Sequence, residues 1–365
     1  MKTFKLLLHV LFGMGHFLVA FLFLLSAFSD RISPEKHLVF SYIGLAFPVF
    51  MVLNFLFILY WLVVSNWKSA LIGVASFIIA WGQVTSYLPF HSMNTPLPEE
   101  SLKVLTYNVM GFAYKNHTAD SPNRIIEYIA DSGADIVCLQ EYSTSRHGNG
   151  LTTRKLNKAL KMYPYRSVVE LNANKYQSIG IALFSKYPIE KSRRIKYKSA
   201  FNGSAVHELT VKGKKVTLIN NHLESFKLTM EDRSKYSQII GNLGSEGLSE
   251  LKGSLQQKLG TAFQIRAGQA EMVAKEIKEA KGEYVLVCGD FNDTPISYAH
   301  RTIQGNLVDA FAASGRGLGI SYNQNKFWFR IDNILHSSNI KSYRCTVDKV
   351  RYSDHYPMWC YITLE

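Results

Sequence analysis

The sequence is poor in cysteine, and its cysteines are too scattered to form a zinc site. Only four are present in 365 residues, and none has the short spacing of paired metal ligands. Cys138 and Cys288 lie inside apolar, strand-like runs, where a free thiol behaves as a small hydrophobic side chain. The sequence therefore predicts neither a disulfide framework nor a cysteine-bound metal. Internal repeats and low-complexity tracts are also absent, so the chain is not a repeat array.

Formal charge is missing from most of the amino-terminal third. Leu6–Ser29, Leu38–Trp67 and Ser69–His91 contain no Asp, Glu, Lys or Arg, and each is longer than the about 20 residues that cross a hydrocarbon core. We therefore predict a membrane anchor of three transmembrane helices in residues 1–91. The Pro-containing segment 92–101 is predicted to be a linker.

Few polar residues interrupt the predicted spans. Pro48, Asn54 and Gln83 are interpreted as helix-contact or kink residues. A transporter would require paired charges inside the spans, and the sequence has none there. The amino-terminal third is therefore predicted to anchor the chain and not to transport a solute.

The few basic residues beside the spans predict their orientation. Lys2 and Lys5 precede the first span and Lys68 lies between the second and third, so these ends favour the cytoplasm. Three crossings then place the rest of the chain on the extracytoplasmic side of an inner (cytoplasmic) membrane. The first span could instead act as a secretion signal, and the remainder would reach the same side.

Positive charge is concentrated after the predicted anchor. Residues 1–100 hold five of the 41 Lys and Arg residues and four of the 28 Asp and Glu residues, which leaves 36 bases against 24 acids in residues 101–365. A surface with this net charge of +12 favours nucleic acids, phosphorylated small molecules or anionic lipid headgroups as partners. Solubility alone would explain the same balance.

The most informative stretch is residues 284–295, in which an apolar, β-branched run ends at Gly289. The run predicts a buried strand, and alternation along it places Asp290 and Asn292 on the same side at its carboxyl end. Open α/β sheets bind their ligands at this edge. A carboxylate beside an amide suits a site that orients water and holds a metal-bound phosphate. An Asx turn after a strand would use the same residues.

Other predicted strands also end in polar side chains. The candidate site residues collected in this way are Asn108, Glu141, His222, Asp290, Asn292, Asp332, Asp354 and His355. Glu141 with one or two further oxygens could hold a hard cation such as Mg²⁺. Asp332 could fix the tautomer of His355, and Asp290 could deprotonate a water for in-line attack on phosphorus.

Six short motifs occur together in the order of a known family. They are Thr106-Tyr107-Asn108, Leu139-Gln140-Glu141, Asn221-His222-Leu223, Gly289-Asp290-Phe291-Asn292, Arg330-Ile331-Asp332 and Ser353-Asp354-His355. With these motifs, residues 102–365 resemble the endonuclease/exonuclease/phosphatase superfamily. The resemblance implies an α/β fold, a four-layer sandwich of two packed, mixed, mostly antiparallel sheets flanked by helices, with the site at one rim.

The resemblance also assigns a metal and a catalytic set. It implies that Glu141 binds Mg²⁺, with Asn108 and Asp354 assisting, and Mn²⁺ is the alternative ion. Asp290 and Asn292 would position the attacking water and the phosphate.

The two histidines belong to the same implied set. His222 and His355 would contact the scissile phosphate, with Asp332 supporting His355. Asn108, His222 and Asn292 are the implied phosphate-binding residues.

The chain departs from the family pattern at two places. Pancreatic-type nucleases pair their first histidine with an acid, and Ser178 falls where that acid is expected, so His222 is interpreted as a neutral phosphate donor. Residues 226–267 match no well-known member and are predicted to form a helical insertion near the site, or else decoration on the far face. An amphipathic helix is predicted over 266–280, leading into the strand that begins at Tyr284.

Three functions remain open on the sequence. The first is a membrane-anchored, Mg²⁺-dependent phosphoester hydrolase of the phosphodiesterase or nuclease type. The second is the same chemistry on a phospholipid or sphingolipid headgroup, which the anchor favours. The third is a non-catalytic binding protein on the same fold, and the intact acidic residues of the six motifs argue against it. No protein partner is predicted.

Overall fold

The structure, a computed structural model, describes residues 2–148, 150–197, 199, 201–227, 248–324 and 327–365. Its amino-terminal helices are α1 (Lys2–Ala27), α2 (Val39–Leu45), α3 (Phe47–Val63), α4 (Trp67–Ile79) and α5 (Trp81–Tyr87), with a 3₁₀ turn at Ser29–Arg31. The helices of the carboxyl-terminal domain are α6 (Met110–Ala113), α7 (Arg124–Asp131), α8 (Thr153–Ala159), α9 (Leu248–Lys278), α10 (Tyr298–Gln304) and α11 (Ala310–Ser314).

One described helical stretch, His9–Arg31, is long and apolar enough to cross a membrane by itself. It comprises most of α1 and the 3₁₀ turn that follows it. The second and third predicted spans differ from expectation because each is a bent pair of helices. The bend is 55° between Val39–Leu45 and Phe47–Val63, and 70° between Trp67–Ile79 and Trp81–Tyr87. Pro48 at the start of α3 explains the first bend, since a proline has no N–H to continue the hydrogen bonds of α2 and its ring crowds the carbonyl four residues earlier.

A buried polar network joins α1, α3 and α4. Asn54, predicted as a helix-contact residue, donates from Nδ2 to Oγ of Ser76 (2.8 Å), and its Oδ1 lies 3.3 Å from Nε2 of His16. The indole of Trp61 donates to Nδ1 of His16 at 3.0 Å. Polar side chains between apolar helices favour association because each would otherwise lack a partner.

The described strands form two six-stranded sheets. The strands of the first sheet are β1 (Leu102–Asn108), β2 (Ile136–Ser145), β3 (Tyr165–Ala173), β4 (Gln177–Ser185), β11 (Ile340–Val347) and β12 (Met358–Leu364). Those of the second are β5 (Ile189–Arg194), β6 (Gly203–Val211), β7 (Lys214–His222), β8 (Tyr284–Asp290), β9 (Val308–Asp309) and β10 (Asp332–His336).

The first sheet has the strand order β11-β12-β1-β2-β4-β3 and the second the order β5-β6-β7-β8-β10-β9. Within them, β1 pairs in parallel with β2 and β7 with β8, and the other neighbours are antiparallel.

The two sheets pack face to face around one apolar core. Val104 and Cys138 of the first sheet and Leu218 and Leu286 of the second belong to the same buried cluster. All four cysteines are buried free thiols in this cluster. Burying a side chain the size of leucine stabilises a fold by about 1.5–3 kcal/mol.

Helices cover the outer face of each sheet. Ile126 of α7 and Leu156 of α8 pack with the first sheet, and Val273 of α9 and Ile303 of α10 pack with the second. The result is the predicted four-layer α/β sandwich of two mixed sheets between helices.

The helix predicted over 266–280 is present, but it begins earlier than expected. It is the carboxyl-terminal part of α9, which runs without a break from Leu248 to Lys278. Residues 228–247 of the predicted insertion lie outside the described residues.

The amino-terminal helices pack directly on the carboxyl-terminal domain. Ile296, which follows β8 by six residues, belongs to one buried cluster with Phe23, Phe47 and Tyr87 of the helices. The side chain of Arg330 donates to the backbone carbonyl of Ser86 at 2.5 Å. The two parts of the chain therefore share a core as well as polar contacts.

Candidate active site

Strand ends of both sheets meet at one rim of the sandwich. Asn108 ends β1, His222 ends β7 and Asp290 ends β8. In the register of the second sheet, Asp290 is paired with His222 on one side and with Asp332 on the other. The sheet pairing alone therefore brings three of the predicted site residues together.

Gly289 allows these strands to approach closely. Its φ is +128°, and a Cβ at this position would lie 2.0 Å from the carbonyl oxygen of Asn221. Only glycine has room at this contact without a shift of the backbone. Because Gly289 directly precedes Asp290, this contact fixes the place where the carboxylate leaves the sheet.

Two site residues have left-handed backbone conformations. Glu141 has φ = +50° and Asn292 has φ = +52°. Glu141 lies in the irregular stretch of the β2–β4 pairing between Leu139 and Tyr142. Non-glycine residues with positive φ are uncommon and concentrate at functional sites, where the surrounding structure holds them.

The Asp290 carboxylate is the centre of the hydrogen-bond network. The Nδ2 group of Asn108 donates to Oδ2 of Asp290 (3.1 Å) and to Oε1 of Glu141 (3.1 Å). The backbone N–H of Asn292 donates to Oδ1 of Asp290 at 2.7 Å, and its Nδ2 lies 3.2 Å from Oδ2. The carboxylate is therefore buried and held by amide donors from two strand ends.

His355 connects two carboxylates. Its Nδ1 lies 2.8 Å from Oδ2 of Asp332, and its Nε2 lies 3.6 Å from Oδ2 of Asp290. Asp290, Asp332 and His355 each offer a ligand atom within 4.8 Å of the others, so they form a group that could hold a metal ion. The backbone N–H of Asp332 donates to Oγ of Ser321 at 3.0 Å, which fixes the start of β10.

The burial and the charges of the site shift the pKa values of its residues in opposite directions. Burial, together with the nearby Asp332, raises the pKa of Asp290 to about 6, although His355 and His222 act against the shift. Burial lowers the pKa of His355, but Asp332 and Asp290 outweigh it and hold that pKa well above its ordinary value. Burial lowers the pKa of His222 below its ordinary value.

His222 has a different neighbour from the one that the sequence predicted. Ser178, at the position expected for the paired acid, donates from Oγ to Glu170 at 2.6 Å at the surface of the first sheet. The amide of Asn202 instead lies 3.2 Å from Nε2 of His222. Asn202 precedes β6 by one residue and belongs to no recognisable motif, so only the register of β6 against β7 could have identified it.

A pocket of about 140 Å³ opens over these residues. Its lining includes Glu141, His222, Asp290, Asn292, Asp354 and His355, and its walls include Phe226, Lys227, Tyr322, Phe327, Phe329 and Ile331. We call it the site pocket. The eight predicted site residues lie in its lining or bond directly to residues that do. Among the wall residues, Ile331 belongs to the fifth motif and Phe226 and Lys227 to the predicted insertion, and the others are absent from the sequence prediction.

The predicted metal ligands lie on one side of the site pocket. Glu141 and Asp354 both line it, and both raise the pKa of the nearby Tyr114 after the larger effect of burial. Asn108 directs its Nδ2 at Glu141, and its Oδ1 accepts the N–H of Met110 at 3.1 Å. Carboxylate and amide oxygens are the ligands that Mg²⁺ prefers, so the donor set fits a hard cation.

Comparison with known proteins identifies two regions of the chain. A model described as the Endonuclease/Exonuclease/phosphatase family matches residues 105–355, and one described as a domain of unknown function matches residues 8–87. No curated protein sequence matches the chain.

Several solved structures share the fold of the carboxyl-terminal domain. The chain is similar to an endonuclease/exonuclease/phosphatase from Bacteroides vulgatus (19% identity, TM-score 0.51, covering 73% of this chain and 99% of that one). It is also similar to the human nocturnin catalytic domain with bound sulfate anion (16% identity, TM-score 0.51, covering 73% of this chain and 96% of that one). A third similar structure is an endonuclease/exonuclease/phosphatase from Beutenbergia cavernae (17% identity, TM-score 0.50, covering 73% of this chain and 72% of that one).

Proposed function

This chain belongs to the endonuclease/exonuclease/phosphatase family of metal-dependent phosphoester hydrolases, and from that premise we propose that it is a membrane-anchored, Mg²⁺-dependent phosphodiesterase. The observation that carries the proposal is the arrangement around Asp290. A buried carboxylate lies 3.6 Å from one histidine and 3.8 Å from another, inside a pocket large enough for a phosphate group.

Asp290 is the general base in this proposal. A base works best when its pKa is near the working pH, and burial raises the pKa of Asp290 to about 6. It would take a proton from the attacking water as the water oxygen bonds to phosphorus. The ester P–O bond opposite breaks, and the leaving oxygen takes up one proton, so the reaction is a net hydrolysis.

The other polar residues bind and orient the phosphate. His355, with its raised pKa, is a cation near neutral pH and would offset the charge of the phosphate oxygens, and Asp332 holds its ring in place. His222 is neutral and would act as a hydrogen-bond donor to the phosphate, together with Asn108 and Asn292. These polar groups are fixed by the strands before the substrate arrives, which is how a site stabilises developing charge at low reorganisation cost.

Glu141, Asp354 and Asn108 would hold the Mg²⁺ ion, with Mn²⁺ as the alternative. Their oxygens suit a hard cation, and the partly exposed Glu141 carboxylate is accessible from the site pocket. When bound, such an ion supplies positive charge to the phosphoryl oxygens.

The amino-terminal helices would fix the enzyme to a membrane. Helix His9–Arg31 supports this, and the two bent helix pairs would supply a second and a third crossing. Three basic residues lie at helix ends that are remote from Ile296: Lys2 and Lys5 in α1, and Lys68 in α4. Their position supports a carboxyl-terminal domain on the extracytoplasmic side.

The test uses the full chain in detergent micelles and the soluble diester bis(4-nitrophenyl) phosphate. Asp290→Asn and His355→Ala should each lower hydrolysis by at least about 10²-fold. EDTA should abolish activity and added Mg²⁺ should restore it. Asp348→Asn is the matched control, because Asp348 bonds to Tyr128 and Trp359 and does not line the site pocket. Full activity in both site variants would overturn the proposal.

A further inference from the structure

The amino-terminal helices carry a groove with an apolar lining. It lies between α3, α4 and α5 and has a volume of about 660 Å³. Its lining includes Val52, Phe55, Val74, Ile78, Trp81 and Phe90. We call it the helix groove. From Ile58 to Met51, both in its lining, it follows α3 for about 10 Å, at 1.5 Å per residue.

The helix groove lies within the surface that a membrane would cover. Large apolar side chains are exposed along α1 from Leu7 to Phe21, a length of about 21 Å at 1.5 Å per residue, and along α3 from Val49 to Val63. Phe23 and Ala27, beyond this belt, are buried in the cluster that contains Ile296. The apolar belt therefore ends where the carboxyl-terminal domain begins.

The wall of the helix groove contacts the segment that lines the site pocket. Val84 and Leu88 line the groove, and the carbonyl of Ser86 between them accepts a hydrogen bond from the side chain of Arg330. Arg330 directly precedes Ile331, which lines the site pocket. A single arginine side chain therefore connects the wall of the groove to the wall of the pocket.

A loop makes a second connection. Phe90, at the end of the helix groove, forms a β-bridge with Arg316, and the N–H of Gly317 donates to the carbonyl of Pro89 at 2.9 Å. Further along the chain, Phe327 and Phe329 line the site pocket, and the side chain of Trp328 between them is 62% exposed. Phe90 and Trp328 are thus exposed aromatic side chains of the kind that is enriched at membrane–water interfaces.

Edge-to-face aromatic contacts make a third connection, through α9. The ring of Phe226, in the site pocket, lies 5.6 Å from the ring of Phe263 in α9. Phe263 lies 5.7 Å from the ring of Tyr42 in α2, and Tyr42 also bonds to the backbone of Gln256. Lining residues of the site pocket are therefore linked to the amino-terminal helices through α9 as well as through Arg330.

We infer that the helix groove binds an acyl chain of a membrane lipid whose phosphodiester headgroup enters the site pocket. An amphiphile with this structure has both parts that the two cavities require: an apolar chain for the groove and a phosphodiester for Asp290 and His355. The inference rests on the proposed hydrolase function and adds the substrate class. Water would add to the lipid phosphorus, one ester P–O bond would break, and the departing alcohol would take up a proton.

The test uses the full chain in vesicles of phosphatidylethanolamine and phosphatidylglycerol. It compares the hydrolysis of two substrates, the vesicle lipids and soluble bis(4-nitrophenyl) phosphate. Lipid products are measured by mass spectrometry, and bis(4-nitrophenyl) phosphate reports the chemistry without an acyl chain. Val52→Trp fills the helix groove and should lower the ratio of lipid to soluble-diester hydrolysis by about 10-fold. Val49→Trp is the matched control, because Val49 is exposed on the same helix outside the groove, and its ratio should stay within about 2-fold of the parent.

A photoreactive lipid gives a measurement that does not depend on a variant. Phosphatidylglycerol with a diazirine on its acyl chain should label Ile78 and Trp81 of the helix groove in preference to Met14 and Phe17, which are exposed on α1. Equal labelling of both sets would mean general contact with the bilayer and would overturn the groove assignment.

The outcomes separate the inference from the proposed function. Hydrolysis of the soluble diester without cleavage of vesicle lipid would overturn the lipid substrate and leave the hydrolase intact. Cleavage of a single-stranded oligonucleotide in place of lipid would assign a nucleic-acid substrate. If Mg²⁺ produces no hydrolysis of any of the three, the proposed function fails and the lipid inference fails with it.

Discussion

The Oδ2 atom of Asp332 lies 2.8 Å from Nδ1 of His355, and this contact fixes which ring nitrogen faces the site pocket. The other nitrogen, Nε2, is then directed at Asp290, 3.6 Å away. The two carboxylates come from strands that pair directly, with Asp332 opposite Asp290. One β-ladder therefore supplies both negative charges that act on the histidine.

Replacing Asp332 tests the role of this contact. Asp332→Asn should lower hydrolysis of bis(4-nitrophenyl) phosphate by about 10²-fold, because His355 loses the neighbour that favours its charged form. NMR titration should show a lower pKa for His355 in the variant, a change that a purely structural role for Asp332 would not produce. An unchanged His355 titration would contradict the assignment. Asp348→Asn again serves as the control.

The pH dependence of hydrolysis should report the titration of Asp290. Burial and Asp332 raise its pKa to about 6, and only the deprotonated form can act as a base. The rate should therefore fall as pH decreases below about 6, about tenfold per pH unit. The measurement is kcat/KM for bis(4-nitrophenyl) phosphate between pH 4.5 and pH 8. A rate that stays constant down to about pH 4, the ordinary range of an aspartate, would show that Asp290 is not the base.

Asp309 should make stability depend on pH in acid. Burial alone would raise its pKa, but Arg330 and His300 outweigh burial and hold that pKa at about 2. Because the folded-state pKa lies below the unfolded value, the stabilisation is fully present above about pH 4 and is lost as pH falls towards 2. The contribution is about 2 kcal/mol. Thermal unfolding of the full chain in micelles should show a smaller decrease in Tm between pH 5 and pH 2.5 for Asp309→Asn than for the parent. Equal decreases would contradict this account.

Labelling of engineered cysteines tests the orientation in the membrane. Glu99 is exposed after the last amino-terminal helix, so Glu99→Cys should react with a membrane-impermeant maleimide on intact cells whose outer layers admit the reagent. The four native cysteines are buried and provide a low background. Labelling that occurs only after lysis would reverse the orientation.

The fold and the site differ in how far the sequence determines them. The sandwich and the convergence of Asn108, Asp290 and His355 could be predicted because six short motifs, which the sequence displays directly, resemble those of a known family. Asn202 could not be found because its position beside His222 depends on strand register and not on a motif. The first helix bend could be anticipated at Pro48, whereas the break between Ile79 and Trp81 contains no proline and nothing in the structure explains it.

The amino-terminal helices contact Ile296 and Arg330, so the two regions of the chain share a core. A fragment that starts at residue 92 would expose Ile296 to water and remove the Ser86 carbonyl from the buried guanidinium of Arg330. Arg330 is two positions from Asp332, so we expect this truncation to disturb the strand that orients His355. The kinetics of an isolated carboxyl-terminal domain are therefore expected to differ from those of the intact protein.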